Sequence, residues 1–199
     1  MSDRGSAALS GAAAAVCLFV GGILTDHGGK GLEPTQSATE IGKRFAELTG
    51  QARTGAALTG AATALLLIFL GPLWTHMRRG PSWLAVIAVA GGITVAVFIL
   101  LSSFLAIDAK TAGEVGDGRT ARTLLILEWE TIRAIAPPSL AMVAAATLAG
   151  LRYHAFSRAF SAFSVVASVI IAVALFPIGP AGLMGFVGVI WILSLPTES

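Results

Sequence analysis

Residues 124–140 read LLILEWETIRAIAPPSL, an apolar run that holds three charged side chains, Glu128, Glu130 and Arg133. Carboxylates beside an arginine could serve a transporter's ion or proton path, or acid–base chemistry on a lipid. Pro137 and Pro138 close the run. Both lack an amide donor, and Pro137 disfavours the helical conformation at Ala136. The spacing predicts a kink there, with the carbonyls of Arg133 and Ala134 left without backbone partners. Freed carbonyls and charges beside a kink can line a wet cavity.

The same residues also fit the place where a membrane helix leaves the lipid. A hydrocarbon core of about 30 Å takes about 20 helical residues. Counting back that far from Leu151 reaches Ile132, so Arg133 falls just inside the boundary and Glu128 about 6 Å above Ile132. Trp129 sits where an aromatic belt is expected. Arg133 can snorkel outward and pair with Glu130 at i,i+3. This depth count favours an interfacial turn; if the chain has a polar site, these three residues are the candidates for it.

Few other stretches carry chemistry. Ser157, Ser161, Ser164 and Ser168 are spaced four, three and four and share one helix face, which predicts close helix packing through small residues. Gly182, Gly185 and Gly188, Gly21-Gly22 and Gly91-Gly92 read the same way. HGGKG at 27–31 lacks the spacing of a phosphate loop. His27, His76 and His154 stand at span ends; His76 and His154 are expected on one side, neither with a neighbouring carboxylate, and Cys17 is alone in an apolar run. The expectation is no metal, no cofactor and no catalytic residue.

The elements that hold these residues are set by composition. The chain has 199 residues, 55% hydrophobic and 12% charged, with mean hydropathy +0.82. Soluble domains carry about a quarter charged residues, so most of this chain is expected to face lipid. The net charge of +2 is spread over short loops, without the basic stripe that nucleic acid would need. The pattern predicts one all-α integral membrane domain over 1–199. Six spans are expected at 7–25, 55–75, 83–107, 131–151, 157–176 and 179–195, the last short enough to be re-entrant instead.

Ser37 and Glu40 form a Ser-x-x-Glu capping box. Ala38, Ile41, Phe45 and Leu48 then make an apolar stripe, so a short amphipathic helix is expected at 38–50, with Glu40–Arg44 and Lys43–Glu47 pairs on its wet face. Residues 108–122 read as a polar loop with a turn at Asp117-Gly118. The loops at 76–81 and 152–158 are basic and free of acids, which places them and both termini on the cytoplasmic side.

The order of parts resembles a group of uncharacterised six-helix membrane proteins of high-GC bacteria. The features that carry the likeness are ATEIGKRFAEL, a span ending LGPLWTHMRR, LEWETIRAIAPP, LAGLRYHAFSRAF and the closing LFPIGPAGLMGFVGVIWIL. The resemblance implies a multi-pass bacterial inner-membrane protein and transfers no activity. The leading expectation is a non-enzymatic bundle whose partners are membrane lipids, a small hydrophobic ligand, another membrane protein or a second copy. A small oligomeric transporter using the kinked fourth helix, and an enzyme acting on lipid at the outer interface, are the alternatives.

Overall fold

A computed structural model describes residues 13–21, 24, 36–47 and 51–174. Residues 13–21 are helical (α1). Six helices follow: α2 (Ala38–Glu47), α3 (Gln51–Met77), α4 (Ser82–Glu114), α5 (Gly118–Ala134), α6 (Ala136–Tyr153) and α7 (Arg158–Ala174). No strand occurs among the described residues. The sixth expected span at 179–195, with Gly182, Gly185 and Gly188, lies outside them, as do Gly22, His27, Leu48 and residues 7–12 of the first expected span.

Helix α4 organises the rest, packing against α2, α3, α5 and α6, while α7 packs on α6. Three stretches are long and apolar enough to cross a membrane: Thr54–Met77, Ser82–Glu114 and Gly118–Tyr153. The last runs through both α5 and α6. Backbone satisfaction within each helix is what makes such segments compatible with hydrocarbon.

Small residues let the long helices approach. A β-carbon at Gly91 would lie 2.7 Å from the Pro138 carbonyl oxygen and 3.1 Å from the Met142 nitrogen. One at Gly92 would run into Leu70, and one at Gly21 would meet Thr59 Oγ1 at 2.7 Å. Around these contacts Ala85, Ala88, Ala145, Ala146 and Ala149 are buried with Leu66, Phe69 and Met142 in the main core. Threonine and serine hydroxyls inside the helices are satisfied locally. Thr63 Oγ1 donates to Thr59 O at 2.9 Å and Thr147 Oγ1 to Val143 O at 2.8 Å, as polar groups in an apolar setting require.

The expected loop at 108–122 is instead the tip of a helical hairpin. Only residues 115–117 are non-helical, so α4 runs past Ile107 to Glu114 and α5 begins at Gly118. Polar composition suggested a loop, but a helix that continues into water has the same composition. Gly116 at φ +81° ends α4 in the left-handed region, where glycine carries no steric penalty. The Asp117 N–H donates back to Ala112 O at 2.9 Å and Gly116 N–H to Gly113 O at 3.0 Å, the hydrogen-bond closure of a Schellman end. Asp117 then caps α5, its Oδ1 accepting from Thr120 N–H at 3.1 Å and its Oδ2 from Thr120 Oγ1 at 2.6 Å. The turn falls at the Asp117-Gly118 signal; the loop around it does not exist.

The short amphipathic helix is present as α2. Its capping box is closed in both directions: Glu40 N–H donates to Ser37 Oγ and Ser37 N–H to Glu40 Oε2, each at 3.3 Å. Its apolar stripe does not face open lipid. Ile41 and Phe45 are buried against Ala109, Ala121 and Leu125, a second core built by α2, the end of α4 and α5. Two glycines admit it. A β-carbon at Gly113 would run into Phe45, and one at Gly118 into the Ala38 carbonyl.

Candidate functional site

Glu128, Glu130 and Arg133 stand on the last two turns of α5. Arg133 Nη1 donates to Glu130 Oε1 at 2.8 Å, and the two side chains are 66% and 60% exposed. No other part of the described chain covers either group, and a water-exposed pair of this kind contributes only about 0–1 kcal/mol. Glu128 is half-buried and has a partner of its own. Thr131 Oγ1 turns back to Leu127 O at 2.7 Å, so it adds no polar group to the patch.

The hairpin gives this patch a level along α4. Equal steps on either side of Gly116 set Ile99 level with Arg133, Ser102 with Glu130 and Phe104 with Glu128. Gly91 should then lie level with residue 141, and it contacts Pro138 and Met142. Twenty residues counted from Trp83 end at Ser102, and twenty counted back from Leu151 end at Ile132. The two counts agree to within about 3 Å of helix rise.

Pro137 and Pro138 stand just past the point where α5 gives way to α6. Ile135 keeps helical angles, φ −69° and ψ −28°, and forms the joint between α5 and α6. Its N–H donates to Ile132 O at 3.2 Å, and Ser139 N–H donates to Ile135 O at 3.1 Å. The prolines stand in the first turn of α6, where missing donors cost least. On the α4 side the Pro138 carbonyl is covered by Gly91.

Ser161 and Ser164 are 2% and 0% exposed. Ser161 Oγ donates to Ser157 O at 3.0 Å and Ser168 Oγ to Ser164 O at 2.8 Å, while Ser157 Oγ accepts from Phe160 N–H at 3.3 Å. A β-carbon at Gly150 would run into Ser161 Oγ, so the stripe is where α7 closes on α6. Cys17 is a half-buried free thiol. Among the described residues no three His, Cys, Asp or Glu side chains gather as metal ligands would.

One charged residue escaped the sequence reading. Lys110 is 3% exposed, on α4 between Ala109 and Gly113, and has a partner. An ammonium group so deeply buried costs several kcal/mol unless it is paired and hydrogen-bonded. Its neighbours in the chain, DAKTAGE, are polar, and only the alanine and glycine positions Ala109, Ala112 and Gly113 hinted at a packed face.

At the opposite end of the bundle two basic loops meet. Gly80 packs on Tyr153, a β-carbon at 80 lying 3.2 Å from Tyr153 Cβ. The His76 and Phe156 rings stack with centroids 6.3 Å apart and 10° between planes. His154 takes a left-handed conformation at φ 51°, and Ala155 N–H reaches back to Ala149 O at 3.2 Å. This sharp reversal brings Phe156 under His76.

The chain matches no protein-family model, no curated protein and no solved structure.

Proposed function

We propose that this chain is a multi-pass protein of a bacterial inner membrane, with six spans and both termini cytoplasmic. It acts as a binding or assembly partner, for membrane lipid, a small hydrophobic ligand or another membrane protein, and not as an enzyme. One observation carries the reading. Among the described residues, charges are confined to the two ends of the bundle, with a charge-free band between: 54–77 on α3, 82–107 on α4, 136–151 on α6 and 159–174 on α7. Within that band Ile68, Val86, Val97, Phe104, Val166 and Val169 are each more than half exposed, a girdle that water would not tolerate and lipid would cover. The helices inside it meet through alanine, glycine and serine, the packing expected where lipid competes for apolar surface.

The orientation follows from the arginines at 78, 79, 152 and 158, which stay on the cytoplasmic side. The α4–α5 tip with α2 then faces outward. The test is cysteine accessibility in intact cells on a Cys17→Ser background. Glu114→Cys should react with a membrane-impermeant maleimide, and Gly80→Cys should react only after permeabilisation. Labelling of position 80 in intact cells would overturn the orientation, and recovery of the chain in the soluble fraction would overturn the membrane reading.

A further inference from the structure

The four arginines at the basic end lie on two separate loops, and the fold joins those loops. Arg78 and Arg79 follow α3 in the turn to α4; Arg152 and Arg158 flank the turn between α6 and α7; all four are exposed. The Gly80–Tyr153 contact and the His76–Phe156 stack hold the loops together. Phe156 is anchored in turn on buried Phe160, with ring centroids 4.7 Å apart. The acidic residues of the described chain, at positions 40, 47, 108, 114, 117, 128 and 130, all belong to α2 and to the α4–α5 hairpin and its tip, at the other end. Among the described residues the patch is therefore a cluster of guanidinium groups with no carboxylate at its end of the bundle.

Its surroundings select the counter-charge. Trp83 and Leu151 are 52% and 55% exposed beside it, where the apolar girdle begins. A molecule that satisfies both surfaces has phosphate oxygens for the arginines and acyl chains for the girdle. Guanidinium groups bind phosphate bidentately, and basic clusters between helix ends are sites for anionic headgroups. We infer that the joined 76–81 and 152–158 loops form one binding site for the headgroup of an anionic phospholipid. The inference rests on the membrane reading above and adds lipid class and location to it. A neutral zwitterionic headgroup would bring its own ammonium group into a field of four positive charges. A free phosphate would leave the girdle uncovered.

The test uses the full chain in detergent, with phosphatidylglycerol, phosphatidylcholine or inorganic phosphate added, and reads retained lipid by native mass spectrometry. The wild-type chain should retain phosphatidylglycerol preferentially and lose it as salt rises. At about 1 kcal/mol per arginine, R78Q/R79Q and R152Q/R158Q should each weaken that retention about 30-fold. The pair R119Q/R133Q, at the other end, should not. Equal retention of both lipids, equal loss in the control pair, or competition by inorganic phosphate at lipid-like concentration would each overturn the site. If only one loop pair matters, the joined site is wrong. Circular dichroism of each variant separates lost binding from lost fold, and the salt dependence of the wild-type chain needs no variant. Because this measurement has no membrane sidedness, its failure is distinguishable from failure of the labelling experiment.

Discussion

The carbonyl oxygen of Pro138 lies against Gly91, 2.7 Å from the point a β-carbon at position 91 would occupy. Backbone meets backbone there, so a new methyl group cannot be absorbed by turning a side chain. Gly91→Ala should push α4 and α6 apart and cost about 1–3 kcal/mol. Gly60, in the middle of α3, has nothing within 4 Å of its β-position. Gly60→Ala should stabilise by about 0.5–1 kcal/mol, the helix preference for alanine over glycine. Melting in detergent should move the two variants in opposite directions.

Neutralising the exposed acid on α5 should do little. Glu130→Gln removes one side of a pair that is 60–66% exposed, and the change in stability should stay under about 1 kcal/mol. Membrane insertion should be unaffected. A rise of several degrees in melting temperature would mean that the carboxylate is strained and buried in the lipid-embedded protein.

Lys110 should behave in the opposite way. Lys110→Ala removes a buried, partnered side chain, and should cost about 3 kcal/mol through the group left behind and the space it vacates. Lys110→Met restores most of the volume without the charge. If its cost in a chemical-denaturation series is close to that of alanine, the ammonium contact holds the α2–α4–α5 core; a near-neutral methionine would reduce Lys110 to a filler.

Much of this fold was legible where the signal is local. Ser37 and Glu40 close a capping box within a single turn, and hydropathy alone marks α3, α4 and α6. The hairpin tip was half legible. Asp117-Gly118 gave the turn, yet the polar residues on both sides disguised the ends of two helices. The repeat of Ala109, Ala112 and Gly113 facing Ala121 and Leu125 was the available clue. Burial of Lys110 could not be read, because Ile41 and Phe45 cover that core from a distant part of the chain. Nor does sequence distinguish Gly91 from Gly60; only the partner helix does. The same holds for the basic end, where neither loop reveals that Gly80 and Tyr153 touch.

The cap of α5 should make the hairpin tip sensitive to acid. Hydrogen bonds from the Thr120 side chain, then from its backbone, hold the Asp117 carboxyl below its ordinary value of 3.8. A depressed folded value means that the stabilisation is fully present above the unfolded value and fades as pH falls through the folded one. Asp117→Ala should therefore melt lower than the wild-type chain at neutral pH, and the gap should narrow only below about pH 4. Asp117→Asn, which can still cap, should show a smaller gap and little pH dependence.

His154 holds a left-handed conformation with its side chain exposed. Glycine adopts it without the penalty of a β-carbon, so His154→Gly should stabilise by up to about 1 kcal/mol. A loss of stability would show that the imidazole contributes more than the backbone strain costs.

Helix α4 is a single uninterrupted element of 33 residues, about 50 Å of rod at the helical rise. Its lower part carries the crossing contact at Gly91, and its upper part carries Lys110 and the docked α2. Between them lies no joint: the break at Ile135 is on the neighbouring arm of the hairpin. Such a rod works as a lever. A tilt of about 10° at its base, the kind of adjustment a change in bilayer thickness produces, would sweep the Glu114 end sideways by about 9 Å. A thinner or thicker bilayer would thus displace the cap as a unit, with α2 carried along by its grip on Gly113 and Gly118.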